Sequence, residues 1–248
     1  MEQVSTIGRV ERLWRYPVKS MRGEELETAY VGFSGVYGDR VFAFRSADRP
    51  KSFPYLTARS QKAMLQYRPR FRAAETRTPT DSSDLTVDVE TPNGEIIAID
   101  DPALIRHLGD GLRESPTITL LRSVEAMTDC RPVSLISIQT ARQIGDELGI
   151  PVDPRRFRAN IYLNLSDAGG FGEDAFVGRT LRLGPQVVLS ILERDKRCRM
   201  ITLDPDSSES SPAILEKVVH DHDGAAGIYA VVLVEGAVHR GDPIELLD

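Results

Sequence analysis

The residue in this chain best placed to do chemistry is Cys198, in Asp195-Lys196-Arg197-Cys198-Arg199. Cations beside a thiol stabilise its thiolate, which makes it a better nucleophile or metal ligand. A soft thiolate suits a soft or high-valent metal. A free cysteine is as often an inert, buried small side chain, and local chemistry leaves both readings open. Tyr16-Pro17-Val18-Lys19-Ser20 sets a cation beside a hydroxyl, a pair that can bind phosphate, although the glycine framework of a P-loop is missing. Gly38-Asp39-Arg40 and Phe157-Arg158-Ala159-Asn160 each bring an arginine to the start of a strand pattern. A buried arginine there needs an anionic partner. For Arg40 the partner is Asp39, unless Asp39 only ends a turn. For Arg158 it is a bound anion or a surface salt bridge.

Two arginine clusters stand out: Arg155, Arg156 and Arg158, then Arg194, Lys196, Arg197 and Arg199. The planar guanidinium grips phosphate or oxyanions bidentately. The competing reading is a solvated run of charge. His220-Asp221-His222-Asp223 has the residue types of a metal site, but it follows a helical pattern and runs into Gly224, so a solvated loop is expected. His107 and His239 join no constellation. There is no Ser/His/Asp spacing, no GxGxxG after a strand and no HExxH.

The 248 residues allow one large domain or two small ones. A formal charge of −6 argues against a general nucleic-acid binder. No stretch approaches the ~20 apolar residues of a membrane helix. The first 15 residues lack the apolar core of a secretory signal, so a cytoplasmic protein with no membrane or nucleic-acid partner is expected. Two cysteines, Cys130 and Cys198, are too few for a disulfide framework or a self-contained iron–sulfur centre.

The elements that must position these residues are mainly β. Leu85 to Glu90 alternates apolar and polar, Asn93-Gly94 marks a hairpin turn, and Glu95 to Ile99 reads as the return strand. Val41–Phe44, Thr117–Leu121, Asn160–Leu165, Gln186–Leu192 and Ile228–Val234 read as further strands. Helices are expected over Ser137–Leu148, stopped by Gly149, over Pro102–Leu112 despite Gly109 and Gly111, and over Ala213–Val219 behind Ser211-Pro212. Glu75–Asp84 and Asp204–Pro212 read as polar loops. The fold class is mainly β (α+β): an N-terminal β-barrel-like domain, 5–120, and a second β-barrel domain with a few helices, 121–247.

In this order, the motifs resemble the MOSC superfamily, in the branch with an N-terminal β-barrel domain that includes the mitochondrial amidoxime-reducing component and bacterial relatives. Tyr16 to Glu24 is similar to the family's YPVKS segment, Gly38-Asp39-Arg40 to its GDR turn and Thr57-Ala58-Arg59 to its T/S-A-R segment. Asp129 to Pro132 falls where the MOSC domain begins. Phe157 to Ile161 resembles FRPNI, Val177 to Leu181 the WxGr-x-L segment, and Arg197-Cys198 with Thr202 and Asp204-Pro205-Asp206 the RC…T-DPD signature. Gly241-Asp242-Pro243 resembles the closing turn. The resemblance runs from about residue 7 to the C-terminus. It departs at Ala159, where the family has proline, at Cys130-Arg131, where the amidoxime-reducing type has small hydroxyl residues, and at the bulkier Arg199-Met200-Ile201.

The resemblance implies a molybdenum–molybdopterin cofactor in a cleft between two β-rich domains, with Cys198 the metal ligand. It implies Lys19, Ser20, Arg40 and Arg158 at the pterin and its phosphate, with Lys196, Arg197 and Tyr229 lining the same pocket. Cys130 and Arg131 are expected there too, so that both sulfurs share one cleft. The activity implied is a molybdenum-dependent oxidoreductase. It would reduce small N-hydroxylated or N-oxide compounds with electrons from a separate flavin or iron–sulfur protein. The alternatives are a sulfur carrier or sulfurtransferase with a persulfide on Cys198, or a non-catalytic cofactor-binding module. Pyridoxal phosphate is also associated with the superfamily, but no lysine pattern for it is present.

Overall fold

The computed structural model describes residues 5–72, 85–110, 112, 116–166 and 168–247. In chain order the strands and helices are β1 Ser5–Arg15, β2 Glu24–Leu26, β3 Thr28–Gly32, β4 Gly35–Val36, β5 Phe42–Ser46, β6 Arg68–Phe71, β7 Val87–Glu90, β8 Ile96–Ala98, α1 Pro102–Gly109, β9 Ile118–Arg122 and β10 Val133–Ser137. They continue with α2 Ile138–Leu148, β11 Ile161–Leu165, β12 Thr180–Leu183, β13 Val187–Lys196, α3 Pro212–Asp221, β14 Ala225–Val234, β15 Gly236–His239 and β16 Pro243–Leu246. The expected loop Glu75–Asp84 lies outside the described residues.

A sheet ordered β11-β10-β14-β13-β12-β16-β1 closes through pairing of β1 with β11, giving a seven-strand barrel with β2 appended to β1. Closure removes the exposed edges that an open sheet would present. The barrel interior is filled by Val10, Leu13, Leu135, Leu163, Leu189, Ile228 and their neighbours, all but inaccessible to solvent. A second core lies around Phe42, Phe44, Leu56, Met64, Val89 and Leu104, under the pair β5–β9 and the sheet β6-β7-β8. A third packs α2 and α3 on the outside of the barrel through Ile144, Tyr162, Ile214 and Val218. The fold class is mainly β with α-helices, as the sequence implied.

The division into 5–120 and 121–247 runs across these cores. Ala29, Val31 and Val36 pack with Val133 to Ile244 in the barrel core, and β1 is one of its staves. Conversely, Leu203 from the second half packs into the core of β5 to β9. The chain thus starts in the barrel, leaves it to build the smaller unit, and returns.

Local chemistry explains the helices. Ser137 caps α2 by accepting the Thr140 amide, and Gly149 ends it in the left-handed conformation at φ 67°. Asp101 caps α1 at the Ala103 amide, with Pro102 in the first turn. Pro212 opens α3, but the Ser211 side chain makes no capping bond. That helix runs past Val219 to Asp221, so His220 and Asp221 belong to its last turn rather than to a loop. His222 is not solvated: it stacks on Phe171 with ring centroids 3.9 Å apart and meets Glu147 at 2.8 Å.

Candidate active site

Six of the ten residues expected at the site come from three chain segments that the barrel brings together, and Arg40, Cys130, Arg131 and Tyr229 join them from elsewhere in the chain. β1 delivers Tyr16 to Ser20, the short turn Pro154–Phe157 delivers Arg158, and β13 delivers Glu193 to Cys198. All ten expected site residues, Lys19, Ser20, Arg40, Cys130, Arg131, Arg158, Lys196, Arg197, Cys198 and Tyr229, line one cleft of about 370 Å³. Both sulfurs face it. Nine lysines and arginines line it against three carboxylates, Asp129, Glu193 and Asp195. A chain of net charge −6 therefore concentrates positive charge in one concavity.

Backbone irregularity places these groups. A regular strand would send alternate residues to opposite faces. Glu193 to Cys198 nevertheless all line the cleft. The β13–β14 register shifts between Ile191 and Glu193 and again between Arg194 and Lys196, and such bulges re-aim side chains. Ser20, Arg40 and Arg158 have φ of 67°, 50° and 53°. They are three of the six non-glycine residues with positive φ among the described residues. Strained backbone of this kind gathers at binding sites. Asn160, 1% exposed, secures the turn: its amide donates to the Trp14 carbonyl at 3.3 Å and its side-chain oxygen accepts from the Ser134 amide at 3.3 Å.

The cations differ in how far they are committed. Asp39, fully buried, accepts from the Tyr16 amide at 2.8 Å and pairs with Arg40, so it is the partner sought for that arginine. Lys19 donates to the Met127 carbonyl at 2.7 Å, pairs with Asp129, and lies over the ring of Tyr55. Burial lowers the Lys19 pKa, and the Lys19 charge lowers that of Asp129 against the effect of burial. Arg197 donates to the carbonyls of Ala226 at 2.6 Å and Phe157 at 2.8 Å, and pairs with Asp195 at 2.8 Å. Lys196 reaches the Asp223 carbonyl at 2.5 Å, and Arg131 pairs with Glu193 at 2.7 Å.

Arg158 is the exception. It stacks on Tyr16, 4.2 Å from the ring centroid, and among the described residues it forms no ion pair and keeps a buried Nη2 without a protein partner. Burial, aided by the charge of Arg40, pushes its pKa down to about 10. An arginine this uncompensated attracts an anion. Arg59 also lines the cleft, over Phe53 at 4.6 Å.

Cys198 follows β13 and starts the short turn Arg199–Thr202, half-buried. Cys130 is exposed, and its thiol meets Glu193 Oε1 at 3.7 Å. Burial and the Glu193 charge push its pKa up, so it stays a thiol further into the alkaline range. Asp195, 2% exposed, accepts from Ser134 Oγ at 3.0 Å, and burial raises its pKa. Tyr229 is raised by burial and by Asp195.

Residues 107–245 match the MOSC domain family, and residues 7–102 match the family of the MOSC N-terminal beta barrel domain. The chain belongs to the MOSC family. MOSC domains generally bind a molybdenum cofactor or serve as sulfur-carrier modules. Among solved structures, this MOSC chain is similar to the YUAD protein from Bacillus subtilis, at 17% identity over 99% of this chain and 98% of that one, TM-score 0.53. That likeness concerns the fold. It also matches YiiM from Geobacillus stearothermophilus, at 18% identity over 48% of this chain and 55% of that one, TM-score 0.38. No curated protein matches the chain.

Arg59, Asp129, Asn160, Glu193 and Asp195 line the cleft without having been singled out as site residues, and Arg156, flagged only as part of an arginine cluster, lines it too. Asp195 had a signal in the sequence: a single acid at the head of a basic run. Arg59 and Asp129 had none beyond the motifs that contain them. Among the described residues no helix is long and apolar enough to cross a membrane.

Proposed function

We propose that this MOSC protein binds a molybdenum–molybdopterin cofactor in the cleft and acts as an oxidoreductase on small N-hydroxylated or N-oxide compounds. Its electrons would come from a separate flavin or iron–sulfur protein. The supporting observation is the pairing of a half-buried thiol, Cys198, with Arg158, a buried guanidinium that forms no ion pair among the described residues, in one cation-rich cleft.

These residues fit the group. A pterin phosphate needs bidentate cationic donors, and the buried guanidinium of Arg158 lines the cleft with no ion pair among the described residues. Arg40 and Lys19 adjoin it, each already balanced by one aspartate, so they add field without demanding full neutralisation. Ser20 adds a hydroxyl. Cys198 offers a soft ligand to the metal. Among the described residues no cluster of three or more His, Cys, Asp or Glu side chains could hold a metal ion. A metal at Cys198 would therefore take its other ligands from the organic cofactor. When bound, the cofactor supplies two-electron oxygen-atom transfer.

The chain's own residues do the rest. Tyr16 lies against the guanidinium planes of both Arg40 and Arg158, at 4.7 and 4.2 Å, and fixes their orientation. Reducing an N–OH group consumes two protons, and the Tyr229 hydroxyl and Cys130 thiol hold theirs at neutral pH. Asp195 ties Tyr229 to Arg197, and so to the strand that carries Cys198.

The test is to purify the full chain from a host that makes the cofactor and measure molybdenum, pterin fluorescence and turnover of an amidoxime or hydroxylamine with an artificial reductant. The expected result is bound metal and pterin with turnover, loss of the metal–thiolate scattering signal in Cys198→Ser, and loss of pterin in Arg158→Ala. Metal-free and pterin-free wild type from such a host refutes the reading. The same cationic cleft would stabilise a persulfide anion on Cys198. A sulfur adduct there after incubation with a cysteine desulfurase, in protein that binds no pterin, would favour the sulfur carrier instead.

A further inference from the structure

Behind the cleft lies a second, much smaller void of about 20 Å³, between the barrel and the turn that follows Cys198. Four arginines line it, Arg22, Arg155, Arg156 and Arg158, and among the described residues no carboxylate does. The acidic partners of three of these arginines lie outside the void. Arg155 bonds Asp153 and Asp206, each at 2.6 Å, Arg156 bonds Asp204 at 2.9 Å, and Arg22 pairs with Asp206.

Three residues that line this void each keep a buried donor with no protein partner among the described residues: Trp14 Nε1, Arg156 Nε and Arg158 Nη2. Trp14 is only 8% exposed. Buried donors without acceptors are costly, at about 1–3 kcal/mol each and more when charged. Finding three at one void means that an acceptor belongs there. The volume admits one water-sized species, for which about 10–15 Å³ suffices. A water accepts through two lone pairs and brings two protons of its own, so it cannot satisfy three donors. It also leaves the arginine charge in place. A small anion satisfies all three donors and offsets that charge.

We infer that this void is a binding site for one inorganic anion of halide size, held by Trp14 Nε1, Arg156 Nε and Arg158 Nη2. It is distinct from the proposed cofactor cleft, because Cys198, Lys19 and Arg40 do not line it. Arg156 and Arg158 line both cavities, so an anion in the void lowers the charge they present to the cleft.

Trp14 is the only tryptophan in the chain, which makes its fluorescence a reporter for this site alone. The full-length protein is titrated with bromide at constant ionic strength, with methanesulfonate as the balancing anion. The expected result is saturable quenching that chloride reverses. Arg156→Gln should weaken bromide at least about tenfold, the equivalent of losing one charge-assisted bond. Cys198→Ser should leave it unchanged. Crystals of the wild type in bromide supply a readout that needs no variant: an anomalous peak within bonding distance of the three nitrogens. Weak, linear quenching insensitive to chloride, or a wild-type map with a water and no anomalous signal at this position, overturns the proposal. Neither outcome bears on whether a pterin occupies the cleft.

Discussion

Gly227 sits in β14 with φ 85°, against β10 of the barrel wall. A Cβ added there would lie 2.6 Å from the Leu135 carbonyl oxygen and 2.9 Å from Arg197 Nη2. The first contact is backbone in a closed barrel and cannot retreat cheaply. The second is the tip of a long side chain, but one that is pinned. Arg197 is bonded to two carbonyls and to the buried Asp195. Gly227→Ala therefore has two costs. Placing a Cβ at positive φ costs about 1–2 kcal/mol. Displacing Arg197 from Asp195 breaks a buried ion pair, worth about 3 kcal/mol or more because both charges are left stranded. Gly241 is a matched control: its φ is 89°, and a Cβ there meets nothing within 4 Å. Gly241→Ala carries the first cost without the second.

The assay is thermal unfolding followed by Trp14 fluorescence, with Trp14 buried at the end of β1. A chain of this size moves about 2–4 °C per kcal/mol. On that scale Gly241→Ala should lower Tm by about 2–8 °C, and Gly227→Ala by about 8 °C or more. Gly227→Ala should also disturb the neighbourhood of Cys198, seen as faster reaction of that thiol with a disulfide reagent. Equal Tm shifts for the two glycines would refute the idea that Gly227 exists to admit Arg197.

Two other outcomes follow from buried carboxylates. Burial holds the Asp195 pKa above its unfolded value, so the folded state binds the extra proton between those two pKa values. By linkage, Asp195 then weakens the fold as pH rises through that window, with a slope of at most about 1.4 kcal/mol per pH unit. Asp195→Asn should remove that slope from urea-unfolding free energies measured from pH 4 upwards, and parallel curves for the two proteins would contradict it. Glu173 is fully buried and accepts from Thr140 Oγ1 at 2.7 and 2.8 Å, while the Ser137 amide adds a third contact at 3.2 Å. Thr140→Val keeps the shape and deletes the hydroxyl. A loss of about 2–3 kcal/mol in urea unfolding is expected, as for a bond to a charged group, and a change under 0.5 kcal/mol, the range of an ordinary surface substitution, would count against the assignment.

The sequence revealed strands where the alternation was clean and missed them where it was broken. Val87–Glu90 with Ile96–Ala98 forms the expected hairpin around Gly94, with Thr91 to Glu95 as its loop. β1, the longest strand, carries no readable alternation. Its pairing shifts register between Thr6 and Gly8 with β16, and between Val10 and Arg12 with β11. Each bulge resets which residues face inward, so Ile7, Val10, Leu13 and Trp14 obey no single period. β10 is buried at all five residues and looks like any short apolar run. β13 was expected to span only Gln186–Leu192, short of the charged run Glu193-Arg194-Asp195-Lys196. It continues because those charges face a cleft rather than a core. The site was legible as a set of residue types in order. The commitment of each cation was not, because Asp39, Asp129 and Asp195 act on partners that only folding selects.

That selection explains how a chain with more acids than bases can present a basic cleft. Three carboxylates line the cleft, and others pair with its cations from outside the lining. Asp39 pairs with Arg40 and Asp204 with Arg156, and neither acid is among the residues that line the cleft. Asp153 and Asp206 do the same for Arg155 at the smaller void. A guanidinium paired at one edge keeps its other nitrogens for a ligand, and the pair fixes its plane in advance, which lowers the ordering cost of binding. Arg158 has no such support from a carboxylate. Tyr16 stacks on it, the left-handed backbone at its own Cα aims it, and Asn160 holds the turn to β1. Arg158, which pairs with no acid among the described residues, thus also carries a backbone conformation that is expensive to hold. Such strain persists only where the surrounding structure over-determines it. Here the surrounding structure is the closed barrel: Asn160 leads into β11, β11 pairs with β1, and that pairing is the seam that shuts the sheet.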